Sequence, residues 1–564
     1  MQSTVYDAIV IGSGMTGGWA AKELTEQGLN VLLLERGRMV EHGAGYITAF
    51  KEDWQLPFRD RPSLVEARLQ AKQGRTGYAT KQSIKHWFVN DLNHPYLETH
   101  RFDWIRGYHL GGRSITWGRQ CLRLSDIDFG ANKADGHGVD WPVRYKDIAP
   151  WYDKVERFIG VIGEPLGLPQ LPDGHFLEPF ELNVVERHLK ASLQQHYTNR
   201  HLTIGRVAHL TNAKPEHGRA ACSKRNRCMR GCPTGSYFSS LSSTLPAAMC
   251  TGRLTLRAHA IAKEIMYDPD TRLATGVKIV DAQTKEQLVF NASIIFCCAS
   301  TVATTALLLN STSPRFPNGL GNDSGELGHN LMDHHFRVGA TAEPTGFESD
   351  VNDGDRPVGF HIPRFRNLAK QERHAFTRGY GFQGYATRTD WRRGFKELSY
   401  GESLKEELAK PGPWTIALIG FGECLPYHHN KISLHPRERD QWGLPVVNFS
   451  CQFGENERRM REDMQQEAVA MLKKAGYKNV KPYDKGSAPG QAIHEMGTAR
   501  MGDDPHTSVV NKYNQIHAVR NVYVTDGSFM CSSAYQNPSL TYMAFTARAA
   551  DHAVRHYKDG VYYG

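Results

Sequence analysis

The stretch that decides the fold is residues 7–35, DAIVIGSGMTGGWAAKELTEQGLNVLLLE. Its first five residues form a short apolar run of the kind found in buried parallel strands. The motif G-S-G-M-T-G at 12–17 follows, then an amphipathic stretch and a second apolar run over 29–34, which ends at Glu35. The order strand, glycine-rich turn, helix and strand predicts an α/β protein that begins with a Rossmann-like unit.

The three glycines of this motif point to an anionic ligand. Gly12, Gly14 and Gly17 let the backbone turn tightly and approach a pyrophosphate at the helix N-terminus, where free N–H groups and the macrodipole favour anions. Glu35 lies 21 residues after Gly14, a spacing at which an acid accepts hydrogen bonds from a ribose. An acid there favours FAD or NAD over NADP. The alternative is a glycine-rich turn that binds nothing.

The composition of the 564-residue chain is that of a folded protein, with 40% hydrophobic and 23% charged residues. A net charge of +9 is a mild excess for this length, and no basic-aromatic module appears, so we expect no nucleic-acid partner. Residues 293–309 are the most apolar run, but they contain Ser and Thr and predict a strand, a turn and a helix. We therefore expect no direct membrane insertion. Residues 1–6 lack the charged segment of a secretory signal, so we expect the chain by itself to be cytoplasmic.

The C-terminal region carries a second group of candidate site residues. His494 begins the segment H-E-M-G-T-A-R-M-G, and a predicted strand further on delivers Asp526 and Gly527 to its carboxyl end. Asn537 and Pro538 then interrupt the chain directly before a helix. Because proline suits the start of a helix, we expect the free N–H groups of that helix to face a cofactor.

Five motifs in one order make the chain resemble the glucose–methanol–choline (GMC) family of flavoprotein oxidoreductases over nearly its whole length. Besides the N-terminal and C-terminal segments they are L-G-G-R-S-I-T-W (110–117), W-P-V-R-Y-K-D-I-A-P-W-Y-D (141–153) and G-E-L-G-H-N-L-M-D-H (325–334). The resemblance implies FAD as the cofactor. The predicted cofactor-binding residues are Gly12, Gly14, Gly17, Glu35, Gly112, Ser114, Asp526, Gly527, Asn537 and Pro538.

The resemblance also implies a discontinuous FAD-binding domain interleaved with a substrate domain, whose antiparallel sheet covers the flavin ring. We expect the FAD-binding domain in 1–48, 105–140, 205–335 and 490–564, and the substrate domain in 49–104, 141–204 and 336–489. Residues 430–434 and 440–447 are predicted to be strands of the covering sheet. Candidates for a sugar pocket, each of which is more often an ordinary sheet or loop residue, are Trp391, Arg392, Arg393, Phe421, Glu423, Tyr427 and His428.

In the GMC family, the first His of an H-x-x-G-T motif and an Asn or His of the later N-P motif flank the reactive flavin face. These positions fall on His494 and Asn537. Oxidation of an alcohol needs a group that takes the hydroxyl proton as hydride leaves carbon for flavin N5, and an imidazole suits that task near neutrality. The amide of Asn537 can orient the hydroxyl. We expect the other histidines considered to be structural or solvated: His334, His335 and His517.

One departure from relatives concerns the second loop. Pyranose oxidases attach the flavin covalently through a histidine in an S-T-H-W version of this loop. Thr116 stands at that position here, and a threonine hydroxyl is no plausible flavin anchor. We therefore predict that FAD is bound non-covalently.

Three of the ten cysteines lie close together, as Cys222-x5-Cys228-x3-Cys232-Pro. A disulfide would leave one thiol unpaired, zinc normally needs four ligands at other spacings, and buried or redox-sensing thiols are a further alternative. Thiolates followed by Cys-Pro are common iron–sulfur ligands, and three suit a [3Fe-4S] cluster; a four-iron cluster would need another ligand such as Cys250. Bacterial FAD-dependent glucose dehydrogenase subunits, a branch of the GMC family, have a matching segment, which implies an iron–sulfur loop over 219–236.

A cluster beside a flavin implies transfer to a one-electron acceptor, so we expect a dehydrogenase rather than an O₂-using oxidase. The C-terminal segments most resemble glucoside 3-dehydrogenases, which implies oxidation at C3 of a glucoside. Other sugar or sugar-acid dehydrogenation and oxidation of a non-sugar alcohol remain open. Related catalytic subunits leave the cytoplasm with a small hitchhiker subunit and pass electrons to a cytochrome c-type subunit. The resemblance therefore implies a periplasmic location.

Overall fold

The computed structural model describes residues 5–350, 358–369, 374–389, 393–394 and 400–562. Within these residues the helices are α1 (Met15–Glu26), α2 (Leu64–Leu69), α3 (Ala71–Gly74), α4 (Asp126–Phe129), α5 (Ala131–Asp135), α6 (Tyr145–Ile159), α7 (Val184–His196), α8 (Thr244–Cys250), α9 (Thr301–Asn310), α10 (Gly401–Ala409), α11 (Glu455–Lys474) and α12 (Ser539–Lys558). None of these helices has both the length and the apolar character that crossing a membrane requires.

The strands of the same residues are β1 (Val5–Ile11), β2 (Val31–Leu34), β3 (Leu97–Glu98), β4 (Val161–Ile162), β5 (Phe176–Leu177), β6 (Thr203–Ile204), β7 (Leu254–Arg257), β8 (Ala260–Asp268), β9 (Leu273–Asp281), β10 (Gln287–Cys297), β11 (His335–Glu343), β12 (Phe360–Ile362), β13 (Tyr380–Arg388), β14 (Trp414–Gly422), β15 (Lys431–Arg439), β16 (Pro445–Ser450), β17 (Lys478–Asp484), β18 (Gln515–Ile516) and β19 (Val519–Val524). The predicted strand, turn, helix and strand at the N-terminus are confirmed.

The first sheet has the order β18-β19-β10-β1-β2-β7, with β8 and β9 attached to β10. Strands β7, β2, β1, β10 and β19 pair in parallel, which is the order 3-2-1-4-5 of a Rossmann-like sheet. Helix α1 packs between this sheet and the helices α8 and α12. Residues 8–11 and 31–34 are fully buried, which explains why both runs lack polar alternation.

The second sheet is antiparallel and has the order β17-β11-β14-β13-β12-β6. Most of its strands come from the middle of the chain, and α11 covers one face through Met460, Met464 and Met471. The predicted combination of a Rossmann-like unit with an antiparallel sheet is therefore confirmed. The residue ranges that we assigned to the two domains stay a prediction.

The strands predicted at 430–434 and 440–447 form a separate hairpin. Strands β15 and β16 pair with each other and with β3, so the prediction that they belong to the covering sheet is wrong. Three hydrogen bonds accompany the difference, one of them to a residue distant in the sequence. The Ile432 N–H donates to the carbonyl of Gly328 at 2.8 Å, and Asp440 Oδ1 accepts from the amides of Trp442 and Leu444, so residues 440–444 turn before β16 begins.

Helix α6, from the region assigned to the substrate domain, packs in a core shared with α12. The Tyr152 hydroxyl lies 2.8 Å from Thr541 Oγ1, and Trp141 Nε1 donates to Ser532 Oγ at 2.8 Å. Segments distant in the sequence therefore share one apolar core with the C-terminal helix.

A buried ion cluster connects the antiparallel sheet with α5. Arg378, which precedes β13, donates to Glu423 after β14 at 2.7 Å and also to Asp135 at the end of α5. The side chains of Arg378 and Glu423 are each 2% exposed. A charge buried to this extent is stable only while its partner is present.

We expect Arg378→Met to lower the free energy of unfolding by about 3–5 kcal/mol, because the buried Glu423 and the half-buried Asp135 would both lose their ion-pair partner. Denaturant unfolding followed by tryptophan fluorescence measures the change. Arg458→Met removes an exposed pair with Glu455 and is the matched control, with an expected change of about 0–1 kcal/mol. Equal effects in the two variants would contradict the assignment.

Candidate active site

A cavity of about 550 Å³ lies where the parallel strands end, as expected for the ligand site of an α/β sheet. It is bounded by the carboxyl ends of β1, β2, β10 and β19 and by residues of the antiparallel sheet. Most predicted site residues meet there: Gly12, Gly14, Glu35, Gly112, Ser114, His494, Asp526, Gly527, Asn537 and Pro538 all line the cavity.

The glycine motif forms the floor of the cavity, and each glycine has its own role. A Cβ atom on Gly17 would lie 1.8 Å from the carbonyl oxygen of Gly12, so Gly17 permits close packing of turn and helix. Gly12 has φ +97°, which an L side chain rarely adopts. A Cβ atom on Gly14 would meet nothing within 4 Å and would occupy open space at the start of α1. That space suits the pyrophosphate of a dinucleotide.

Glu35 holds the turn in its place beside the cavity. Its Oε1 accepts from the Gly37 N–H at 2.8 Å, and its Oε2 accepts from the amide of Ser13 at 3.2 Å and from the Ser13 hydroxyl. Burial raises the pKa of this carboxyl, against the effect of those hydrogen bonds. Since the Ser13 hydroxyl also accepts from Gly111 at 2.9 Å, Glu35 connects the glycine motif with the second loop.

The second loop approaches the first at its glycine pair. A Cβ atom on Gly112 would be 3.5 Å from the Cα of Gly14, so the two loops are close neighbours. The Ser114 hydroxyl donates to the carbonyl of Gly111 and lies 3.0 Å from Ser240 Oγ. Ser114 therefore shapes the loop as well as lining the cavity. Thr116, which we predict to leave FAD unattached, also lines the cavity.

Asp526 follows β19 and lies at the end of the parallel sheet. Its Oδ1 accepts from the amide and the hydroxyl of Ser528 at 3.1 and 2.6 Å, and its Oδ2 accepts from the Thr304 hydroxyl. Burial raises the pKa of Asp526. The carboxylate thus orders the chain that leads to the start of α12, where Asn537 and Pro538 line the cavity.

A buried carboxylate, Asp333, fixes the loop that carries His494. Its two oxygens accept from the main-chain amides of Gly490 at 2.7 Å, Ala492 at 3.1 Å and His494 at 3.0 Å. Burial and the charge of Glu495 raise the pKa of Asp333 to about 7. Within this loop Ile493 has φ +62°, an uncommon conformation for a β-branched residue. The loop is therefore held in one shape and directs His494 into the cavity.

The imidazole of His494 has side-chain neighbours on both sides. Its Nδ1 is 2.9 Å from Nδ1 of His334, and its Nε2 is 3.3 Å from Nδ2 of Asn537. Asn537 Oδ1 accepts from Gln383 Nε2 at 2.6 Å. Burial, with smaller effects of His334 and Arg113, holds the pKa of His494 well below its ordinary value. The ring is therefore neutral, as a proton acceptor must be.

Sequence reasoning missed several residues at this site. His334, which we expected to be structural or solvated, contacts the predicted base at 2.9 Å, and its position at the end of the motif at 325–334 was the available signal. Arg113 forms an ion pair with Glu495 at 3.0 Å across the second loop. Gln383 and Phe336 line the cavity without any sequence signal that distinguishes them from ordinary strand residues.

Among the candidates for a sugar pocket, Phe421 lines the cavity, where its ring stacks on Phe336 at 5.2 Å. Glu423 belongs instead to the ion cluster with Arg378. His428 stacks on a surface histidine, and Tyr427 donates to Glu457. Arg393 donates to main-chain carbonyls, whereas Trp391 and Arg392 lie outside the described residues. His335 is buried beside Phe453, and His517 is bonded to Ser508.

The predicted metal ligands Cys222, Cys228 and Cys232 are half-buried free thiols. Among the residues that the structure describes, no group of three His, Cys, Asp or Glu side chains is placed to hold a metal ion. The geometry thus does not support the predicted ligand set. Two of the thiols have hydrogen-bond partners within the loop: Cys232 Sγ lies 3.3 Å from Thr234 Oγ1, and the Lys224 amide donates to Cys222 Sγ at 3.3 Å.

The cysteine segment nevertheless borders the cavity, since Met229 is among the lining residues. Its arginines bond within the protein. Arg219 is buried and donates to the carbonyl of Gly235 at 2.8 Å, and Arg230 pairs with Asp53 at 2.6 Å. Arg227 forms a similar pair with Glu52.

The parallel sheet, the glycine cradle and the His494–Asn537 pair define a dinucleotide-binding oxidoreductase. Comparison with known families is more specific, because the GMC oxidoreductase profile for the N-terminal part matches residues 6–336 and the C-terminal profile matches 426–546. The chain belongs to the GMC oxidoreductase family. Family membership, together with the space that the cradle leaves at Gly14, assigns FAD as the cofactor.

Curated relatives match nearly full length. A 2-methyl-1,2-propanediol dehydrogenase of Mycolicibacterium austroafricanum is 27% identical, covering 98% of this chain and 96% of the relative. The fructose dehydrogenase large subunit of Gluconobacter japonicus is 26% identical, with 98% of both covered. Paromamine 6'-oxidase of Streptomyces fradiae is 28% identical, covering 97% and 91%.

Solved structures agree on the fold. Pyridoxine 4-oxidase from Mesorbium loti superposes with a TM-score of 0.59 at 16% identity, covering 98% of this chain and 99% of that one. A formate oxidase variant from Aspergillus oryzae gives 0.62 at 14% identity, covering 99% and 100%.

We expect Gly14→Val to fold with near-normal stability but to lose bound FAD, because its side chain would fill open space in the cradle without displacing protein atoms. Flavin absorbance per chain and the thermal midpoint of the apoprotein measure the two effects. Gly74→Val is a matched control, since a Cβ atom there also meets nothing within 4 Å and Gly74 does not line the cavity. Full flavin content in Gly14→Val would refute the placement of the cofactor.

Proposed function

We propose that the protein is an FAD-dependent dehydrogenase that oxidises a secondary hydroxyl of a sugar, with C3 of a glucoside as the first choice. The observation that carries the proposal is the pairing of His494 with Asn537 on the wall of the cavity that the glycine cradle opens. A proton acceptor and an amide side by side suit the hydroxyl of an alcohol.

The flavin, when bound, supplies the hydride acceptor. His494 takes the hydroxyl proton at Nε2, the atom that faces Asn537. The amide of Asn537 donates to the same oxygen and orients it, and Gln383 holds that amide from the other side. Because the pKa of His494 is lowered by burial, with His334 and Arg113 adding to the effect, the acceptor stays unprotonated well into the acidic range. Two carboxyl groups belong to this part of the site: Asp333, which accepts from the His494 amide, and Glu495, which acts on the pKa of Asp333.

Support for a sugar comes from the cavity wall. Phe336 and Phe421 present stacked aromatic rings near Gln383 on adjoining strands of the antiparallel sheet. Aromatic faces stack on pyranose rings, and amides bond to neighbouring hydroxyls. The names of fructose dehydrogenase, gluconate 2-dehydrogenase and paromamine 6'-oxidase among the relatives favour this class. The alternatives are a glucose, gluconate or other sugar dehydrogenase, an O₂-using sugar oxidase, or oxidation of a smaller alcohol.

We further propose that electrons leave to a one-electron acceptor such as a cytochrome, and that the protein acts in the periplasm with a small hitchhiker subunit. The relatives named as a large subunit and as a flavoprotein favour a protein with partners. Residues 47–69 support a docking surface, because they expose several large apolar side chains and their exposed charged residues are basic. The exposed apolar residues are Ile47, Phe50, Trp54, Phe58, Leu64, Val65 and Leu69. The exposed basic residues are Lys51, Arg59, Arg61 and Arg68. Such a surface suits an apolar partner face with an acidic rim.

We expect methyl glucoside, incubated with the holoenzyme and a dye acceptor, to yield a ketone at C3 that carbon NMR can locate. A carbonyl at another carbon would reject glucoside 3-oxidation in favour of one of the other sugar activities. Turnover of 2-methyl-1,2-propanediol without turnover of any sugar would reject the sugar class. Peroxide formed in air as fast as the dye is reduced would show an oxidase.

The iron–sulfur cluster is a proposal that rests on the cysteine spacing and the resemblance alone. We expect about three iron atoms per chain after anaerobic purification, and loss of that iron in Cys228→Ser with FAD retained. Cys250→Ser is the matched control and should keep its iron, because Cys250 is exposed and outside the segment. Iron-free protein with full flavin and dye-reducing activity would overturn the proposal.

A further inference from the structure

We propose that His334 is a positioning residue that fixes the tautomer of His494, so that the Nε2 atom facing the cavity carries the lone pair. The inference rests on the proposed function for one point only, the role of His494 as proton acceptor. It adds to that function the residue that sets the tautomer of the acceptor before the substrate binds.

The first step concerns the proton of His334. Its Nε2 lies 2.7 Å from the carbonyl oxygen of Ala534 and 3.4 Å from that of Ser533. A carbonyl oxygen only accepts hydrogen bonds, so Nε2 of His334 carries a hydrogen atom. The ring is fully buried, and burial lowers its pKa to about 4, so it is neutral. A neutral imidazole has one N–H, which leaves Nδ1 of His334 as a bare acceptor.

The second step concerns His494: because Nδ1 of His334 has no hydrogen atom, it determines which nitrogen of His494 carries one. The two Nδ1 atoms are 2.9 Å apart, a hydrogen-bond distance. Because Nδ1 of His334 is bare, Nδ1 of His494 must donate. His494 is neutral as well, so its Nε2 has no hydrogen atom. The lone pair therefore points toward Asn537 and the cavity.

The third step is a consistency check on the amides. Nε2 of His494 is 3.3 Å from Nδ2 of Asn537, which donates, and Oδ1 of Asn537 accepts from Gln383 at 2.6 Å. Donors and acceptors thus alternate without conflict from the Ala534 carbonyl to Gln383. The reverse order would turn a bare nitrogen of His334 toward two carbonyl oxygens, which is repulsive.

The main-chain carbonyls of Ser533 and Ala534, which orient His334, belong to a segment that is fixed by further hydrogen bonds. The Ala534 amide donates to Glu423 at 3.2 Å, and Ser533 Oγ bridges the amide and the carbonyl of Cys424 at 3.0 and 2.9 Å. Glu423 belongs to the buried cluster with Arg378. The two carbonyls that orient His334 are therefore fixed by the segment that follows β14.

Asp333 and His334 are neighbours in one motif, and each fixes a different part of His494. Asp333 binds the main chain of His494 and sets the place of the residue, whereas His334 binds the ring and sets its proton. In the other tautomer an N–H would face the substrate hydroxyl and could take no proton. In enzymes with a histidine base, a wrong tautomer lowers kcat by up to about 10⁴-fold.

We expect His334→Leu to lower kcat by about 10²-fold or more, with KM and FAD content little changed, because no acceptor would remain for His494 Nδ1. His334→Asn is the conservative control. Its amide oxygen lies near the place of the lost Nδ1 and can accept the same bond, so we expect kcat within about 10-fold of the parent. Equal kcat values for the Leu variant and the parent, or an Asn variant as slow as the Leu variant, would overturn the inference.

A double-variant comparison separates positioning from general support of the structure. If His334 acts through His494, His334→Leu combined with His494→Ala should be no slower than His494→Ala alone. Losses that multiply would contradict the inference. Full activity of His494→Ala would instead reject the proposed base, which is a different failure.

Gln383→Glu provides a second test if His334→Leu cannot be obtained with FAD. A carboxylate has no hydrogen to donate, so Asn537 would turn its amide and present Oδ1 to His494, which favours the wrong tautomer. We expect kcat to fall about 10-fold or more with FAD retained, on the scale of acid–base catalysis. Unchanged kcat in this variant would count against the chain of hydrogen bonds.

Discussion

The three hydrogen bonds from residues 490–494 to the carboxyl group of Asp333 are the constraint on which the site depends. They fix a loop from the C-terminal part of the chain to a residue two positions before β11, a strand of the antiparallel sheet. Once the loop is fixed, Glu495 meets Arg113 from the second loop, and His494 meets Asn537. The cofactor cradle and His494, the predicted proton acceptor, come from opposite ends of the sequence and are thereby brought to one cavity.

The local part of this arrangement could be predicted because its signals are short-range. Spacing of glycines between two apolar runs indicates a cradle, and an Asn-Pro pair before a helix indicates a helix start at the cavity. The sheet that a strand joins is decided by distant contacts. Residues 430–447 have the pattern of strands, yet Ile432 bonds to Gly328 and β16 pairs with β3. Alternation of apolar and polar residues specifies which face of a strand is buried, but it does not specify which strand it pairs with.

The site residues that the sequence did not reveal have residue types and spacings that are common in any strand. Gln383 and Phe336 become part of the site only because neighbouring strands bring them to the cavity, and no spacing rule connects them with Asn537. The cysteine segment is a different case, since Cys222, Cys228 and Cys232 have the residue types of a ligand set, and their role as ligands stays a prediction. Residue type predicts what chemistry is available, and distance decides whether groups act together.

The order of strands in the parallel sheet has a consequence for biosynthesis. Strand β1 is made first but finds its neighbour β10 only after residue 297 is translated, and β19 joins later still. The hydroxyl of Tyr557, at the end of α12, bonds to Asp7 in β1. Until that helix has left the ribosome, the nascent chain has neither a complete sheet nor the Asn537 side of the cavity. The cavity that would hold the flavin is therefore complete only when synthesis has passed the start of α12.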